Sequence, residues 1–439
     1  MFKETSKELL DFLSKSPTAF HAVENYRQIL NADGFKELLE SEHWDIVPGG
    51  KYYVTRNNTS ILAFKVGTKL DNYSFNIVTS HTDSPTFKVK ENAEIEVKNK
   101  YTQLNTEGYG GMLCATWLDR PLSIAGRVLV SEGNSIVTKL LNIDRDLLMI
   151  PNVAIHMNRA ANDGFKYNLQ VDMLPLLSAG DDRQKDFKQI IADELGVKKE
   201  DILGHDLYLY NRMAPSIWGA NEEFISAGHL DDLQCGFASL KALLAGYNDE
   251  SIDIMACFDN EEVGSGTKQG ADSTLLRDTL VRINSALGKT EEDYHRALAS
   301  SFMLSSDNAH AVHPNHPEHT DATNCTYMNE GVVVKSHAGQ KYTSDGVSMA
   351  VVKALASGAD VPLQYFANRS DKAGGSTLGN IAMAQASMNA VDIGLPQLAM
   401  HSSYETAGIK DTYYAISLMK ALFDSHIQET STHSLEIKS

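Results

Sequence analysis

Cysteine is scarce in this chain, basic charge is outnumbered, and long apolar runs are missing. The four cysteines, Cys114, Cys235, Cys257 and Cys325, lie far apart and form no C-x-x-C pair. That spacing argues against both a disulfide framework and a thiolate zinc site. Lysine and arginine number 39 against 57 acidic residues, a formal net charge of -18. With no basic surplus to neutralise phosphates, no nucleic-acid partner is expected. No uncharged apolar stretch approaches the roughly 20 residues needed to span a bilayer, so no membrane association is expected. The N-terminal MFKETSKELLDFLSKSP mixes charge with Leu and Phe at helical spacing and lacks a secretory apolar core. Together these absences point to the cytoplasm. They leave the substrate open, because a local basic pocket can sit inside an acidic shell.

The 439 residues, 42% of them hydrophobic and 22% charged, suffice for a packed core and for two domains. Residues 5–13 and 19–39 read as helices, separated by Pro17, with Gly34 near the end of the second. Strand-like segments follow at 52–55, 60–66 and 74–79, the last stopping at SHTDSP. KVKENAEIEVKN alternates with period two, as a half-exposed antiparallel strand does. Between about 87 and 225 the texture changes to short strand candidates (126–130, 153–156), many turns, and one helix near 183–195. Beyond 226, helices at 233–245, 346–356, 378–388 and 411–424 alternate with strands at 252–258, 301–305 and 397–400. The expected fold is α/β, with a discontinuous catalytic domain (1–86 and 226–439) interrupted by an inserted β-rich domain (87–225). After Gln428 the polar ETSTHSLEIKS is expected to fray.

Five places share one feature: an apolar segment ends and a metal-capable side chain follows. They are His81 and Asp83 after FNIVTS, Asp231 in GHLDDL, Glu261–Glu262 after IDIMACFDN, Asp307 after SFMLSS, and His401 after PQLAM. Ligands of open α/β sheets gather outside the carboxyl ends of strands, so these residues can converge. Taken singly, each is more often a cap or a turn residue; their joint occurrence carries the reading. Two histidines and three carboxylates suit a pair of divalent ions, with Asp231 as the candidate bridge. Adjacent side chains of an extended segment point apart, so Glu262 can bind metal while Glu261 faces the attacking water as general base. Asp83 is placed to orient the His81 imidazole. The reading requires His81, Asp231 and His401 to lie within about a dozen ångströms of one another.

SHTDSP, LDD, FDNEEVGS, SSDNAHAVHPN and AMHSSYET, in that order along nearly the whole chain, resemble the M18 metallopeptidases, the aspartyl aminopeptidase family. The resemblance implies that His81, Asp231, Glu262, Asp307 and His401 hold two divalent ions, zinc first, with cobalt or manganese as alternatives. Asp231 would bridge them, Glu261 would be the base, and Asp83 would support His81. It also implies a phosphorylase/hydrolase-like mixed-sheet catalytic domain carrying an inserted dimerisation domain. Dimers would build a tetrahedral homododecamer that encloses its active sites and admits short peptides. By the same resemblance His156 reaches the active site of a neighbouring subunit, while His310 and Lys335 line the substrate pocket. Lys335 would supply positive charge for an acidic side chain or polarise the carbonyl. The implied activity is release of N-terminal residues, Asp or Glu as the leading choice. One departure is Asp232, where the family usually carries Asn.

Three alternatives stay open: an M42-like aminopeptidase of broad specificity, a deacylase or carboxypeptidase on the same scaffold, and a non-enzymatic shell or cargo protein. HAVHPNHPEH spaces His310, His313, His316 and His319 three apart, but Pro314 and Pro317 break a helix, so an ordered loop is expected rather than a second metal cluster. GGSTLGN lacks the G-K-[ST] of a phosphate loop and is expected to bend the backbone close to substrate. GYGG reads as a loop of the insert.

Overall fold

A computed structural model of the protein describes residues 1–180 and 186–438. Its largest sheet has nine strands and mixes parallel and antiparallel pairs. At its centre Ser251–Phe258, Ser74–His81 and Phe302–Ser306 run parallel to one another. These strands are buried along their whole length, as SIDIMACF, SFNIVTSH and FMLSS suggest by their near-continuous apolar and small residues. Alternate side chains feed separate cores on the two faces. Met255 and Cys257 pack with helix Leu230–Ala245 on one side, while Ile254, Ala256 and Phe258 pack with Leu276, Leu280 and Leu378 on the other.

A second sheet of six strands, all antiparallel, is built between Thr86 and Ala179 together with Ile202–Asn211. It encloses its own core of Phe87, Trp117, Ile124 and Leu207. Ser216–Trp218 instead pairs with Phe224–Ala227, which pairs in turn with Glu405–Gly408. Among the described residues no helix is long and apolar enough to cross a membrane.

The structure corrects several sequence-based boundaries. The second helix, Ala19–Ala32, stops short of residue 39 because Gly34 takes φ +83 and Lys36–Glu37 joins the sheet beside Tyr52 and Tyr53. The expected strand at 153–156 is a turn, closed by Met157 and Asn158 N–H groups on the Ala154 carbonyl. The helix near 183–195 is Phe187–Leu195, and its expected first turn at 183–185 lies outside the described residues. Helix Leu378–Gln385 ends before Met388, and the strand at 397–400 is Pro396–Leu398. The C-terminal segment does not fray: His426–Ser431 and Ser434–Lys438 form a hairpin that lays Ile427, Leu435 and Ile437 on the core.

Candidate metal centre

Three neighbouring strands at the centre of the large sheet deliver the site at their carboxyl ends. His81 closes its strand opposite Phe258, and Asp307 follows Phe302–Ser306 directly. Glu261 and Glu262 sit in a single turn, Glu261–Val263, just beyond Phe258. Asp231 heads helix Leu230–Ala245 with non-helical backbone angles, and His401 follows Pro396–Leu398 with φ 66.

Asp231 stands at the centre. Its Oδ1 lies 3.6 Å from His81 Nε2 and its Oδ2 lies 3.3 Å from His401 Nε2. His81 Nε2 is also 3.8 Å from Asp307 Oδ1, and His401 Nε2 is 3.4 Å from Glu262 Oε2. Two donors held at zinc distances in a tetrahedral arrangement stand about 3.4 Å apart. The five side chains therefore converge, far inside the separation the sequence reading demands, and Asp232 joins His81 and Asp307 as a third possible donor beside them. Glu261 joins the same cluster, with a donor atom within 4.8 Å of those of His81 and Glu262.

The donor set fits cations on two further grounds. Asp231 Oδ1, Asp232 Oδ1 and Glu262 Oε1 are buried without a hydrogen-bond partner. Such orphaned oxygens are costly unless something positive compensates them. Charge tells the same story. Burial pushes the Glu261 carboxyl up to about 8, and the Asp307, Asp83 and Asp231 carboxylates add to that. Burial, then Asp231, raises Glu262 well above its ordinary value. Burial works to lower the His81 value, but Asp231, Asp307 and Asp83 outweigh it and raise it. Divalent cations would relieve this excess of negative charge.

Outer contacts aim the ligands. His81 Nδ1 donates to the Asp83 carbonyl at 3.0 Å, and His401 Nδ1 donates to the Gly111 carbonyl at 3.1 Å. A carbonyl only accepts, so both rings carry their proton on Nδ1 and turn the Nε2 lone pair inward. The Asp83 carboxylate, 3.4 Å from His81 Nδ1, is occupied mainly elsewhere. It accepts the N–H groups of Glu261 and Glu262, each at 3.1 Å, and the Tyr109 hydroxyl at 2.7 Å.

The three substrate-pocket candidates lie in different places. Lys335 is buried beneath Asp307, donating to the Asp307 carbonyl at 2.7 Å and lying 3.8 Å from its carboxylate. Burial disfavours its charge, yet Asp307 outweighs that and keeps the ammonium ionised. His310 is exposed at a cavity of about 260 Å³, its ring edge-on to Phe366 at 6.1 Å. His156 stands exposed on the turn at 155–157.

Residues 12–423 match the profile of the family described as aminopeptidase I zinc metalloprotease (M18). The chain is 48% identical over 425 residues to "Probable M18 family aminopeptidase 2" of Clostridium novyi, covering 95% of this chain and 98% of that protein. This chain belongs to the M18 aminopeptidase family. Among solved structures, Ape4 in its complex with Nbr1 superposes with a TM-score of 0.93 at 35% identity, covering 96% of this chain and 86% of that one. The S. cerevisiae mApe1 dodecamer superposes with a TM-score of 0.84 at 28% identity, covering 96% and 97%. The mixed α/β architecture is thus that of the M18 metallopeptidases.

Within this M18 chain several contacts at the site escape sequence reading. Glu405 accepts the N–H groups of Asp231 at 3.0 Å and His401 at 2.8 Å, tying these two residues together. Its one available signal is its place in AMHSSYET, four residues after His401. The GYGG segment is not merely a loop. Tyr109 ends a strand and holds Asp83, Gly110 (φ +75) passes Glu262 so closely that a Cβ would meet it at 3.1 Å, and Gly111 orients His401. GGSTLGN makes a close approach to the sheet at its second-last residue: a Cβ on Gly379 would stand 2.5 Å from Ser305 Oγ. Asp232 is fully buried and accepts the His81 N–H at 3.1 Å. Burial, reinforced by Asp307 and Asp231, raises its carboxyl well above the usual range.

Proposed function

We propose that this chain releases the N-terminal residue, acidic ones by preference, from short peptides, using two zinc ions per subunit. The observation that carries the reading is the carboxylate of Asp231, which turns one oxygen to His81 and the other to His401. His81 and Asp307 would hold one ion, Glu262 and His401 the other, and Asp231 both; cobalt or manganese would suit the same oxygen and nitrogen donors. When bound, the pair lowers the pKa of a shared water and polarises the scissile carbonyl.

The remaining chemistry belongs to the chain. Glu261 takes a proton from the attacking water and passes it to the leaving amine. Its raised proton affinity, drawn back by nearby positive charge, suits a base working near neutrality. Asp83 fixes the turn that carries Glu261 through its two backbone N–H acceptor contacts. Lys335 secures Asp307 and places positive charge under the pocket, and His310 meets the peptide at the cavity mouth.

The segment 87–225 would be the oligomerisation insert of a tetrahedral dodecamer built from dimers. Val153, Ile155 and Met157 surround His156 in sequence at 54%, 48% and 79% exposure, apolar side chains that a partner would cover. A neighbouring subunit there would carry His156 toward a second active site. The four cysteines are unpaired, in keeping with a reducing cytoplasm. Aminoacyl reporters bearing Asp, Glu, Leu or Lys, assayed with zinc, cobalt or manganese restored, test the assignment. The reading expects fastest release of Asp and Glu and none from an N-acetylated peptide. Equal cleavage of the acetylated peptide would favour a deacylase.

A further inference from the structure

Away from the catalytic cluster, the segment His313–Thr320 folds in a way its prolines conceal. Pro317 occupies the first position of a 3-10 turn, Pro317–His319, where its missing N–H and fixed φ are tolerated. The turn brings positions three apart onto one side. The His313 and His316 rings lie 5.5 Å apart, and those of His316 and His319 stack at 5.4 Å with an interplanar angle of 28°. The loop expected from the sequence is therefore present, but the prolines do not scatter its imidazoles.

The geometry points to a further divalent-cation site on this turn, formed by His316 Nδ1, Glu318 Oε1 and His319 Nε2, for a borderline ion such as zinc, nickel or copper. The Glu318 oxygen lies 3.1 Å from His316 Nδ1 and 3.9 Å from His319 Nε2, and one ligand atom from each of the three residues falls within 4.8 Å of the other two. These separations bracket the edge of about 3.4 Å that a tetrahedral zinc imposes, so small side-chain rotations close the site. Two imidazoles and one carboxylate are the donors such ions select, and water completes the coordination. His313 stays outside, because its Nδ1 accepts the Asn315 N–H at 3.2 Å.

The backbone beneath the donors is fixed. Thr320 Oγ1 donates to the Pro317 carbonyl at 2.7 Å, and the Arg369 guanidinium donates to the Glu318 carbonyl. Arg369 is itself paired with Asp371 at 2.9 Å, which offsets its charge beside the site. The same turn walls the cavity that runs to His310 and to Met400, the neighbour of His401. The site stands on its own donors and does not depend on the catalytic reading.

Equilibrium dialysis of the two-metal enzyme against added zinc, with metal analysis, tests it, and titration with copper followed by electron paramagnetic resonance reads the nitrogen ligands. The expected result is one additional ion per subunit, with two-nitrogen hyperfine structure for copper. In His316→Ala/His319→Ala, binding of that ion weakens by more than the about 10–100-fold that loss of an outer partner costs. His319→Gln gives the same direction should the double variant misfold. The ions of the catalytic cluster are counted separately in Asp231→Asn, which should still take up the additional ion. No additional ion in the parent enzyme, or unchanged binding in the His316/His319 variants, would overturn the assignment.

Discussion

Two groups of metal-capable side chains in this molecule are built in opposite ways. The cluster around Asp231 draws its donors from five separated stretches, buries them, and fixes both rings through carbonyl acceptors. The turn at 316–319 draws three donors from four successive residues and leaves them exposed. Burial makes the energetic difference. Asp231, Asp232 and Glu262 have buried oxygens without partners, so the cluster loses free energy whenever it is empty. The turn has water at hand and can stay empty at little cost. The first group is expected to be tight and structural to the fold, the second weak and dispensable for catalysis.

The largest effect separates chemistry from binding inside the buried group. Glu261→Gln should lower kcat by about 10²–10⁴-fold while metal content, measured on the purified protein, stays at the parent level. Loss of metal together with activity would make Glu261 a ligand. Next comes the outer support that the exposed turn lacks. Glu405→Ala removes the acceptor shared by Asp231 and His401, and chelator titration should show metal affinity reduced by about 10–100-fold. Asp232→Asn should be much milder, within about 1 kcal/mol of transition-state free energy, since an amide oxygen can still take the His81 N–H. A large loss in kcat/KM would show that the second carboxylate acts as a ligand.

The smallest effect uses a buried acid with no cation to receive. Asp253 lies at the far end of the strand that leads to Glu261, and burial raises its carboxyl to about 8. A folded value above the unfolded one contributes stability in full below about 4, and that contribution is lost as pH rises through about 8. Asp253→Asn should therefore narrow the drop in Tm between pH 7 and pH 9, by about 2 °C for each 1 kcal/mol recovered. An unchanged drop would show that Asp253 titrates normally.

Much of the candidate site is legible in the sequence because its metal-capable side chains sit where strands end, and strand ends are marked locally by apolar runs that stop. Ser60–Val66 matches its expected bounds for the same reason. Tyr109, Gly111 and Glu405 are not legible as site residues, because they act through contacts between sheets that no local pattern encodes. The C-terminal hairpin escapes because polar residues outnumber Ile427, Leu435 and Ile437, whose alternation only matters once the core is there to receive it. The imidazole stack escapes because proline reads as a breaker, although it begins a 3-10 turn well.

Crystals of the zinc-loaded enzyme, with anomalous scattering measured above and below the zinc edge, test the central claim most directly. Two peaks about 3.5–4 Å apart are expected, one on each side of the Asp231 carboxylate, with His81 and Asp307 on one and Glu262 and His401 on the other. A single peak, or a pair that leaves either oxygen of Asp231 without an ion, would contradict it.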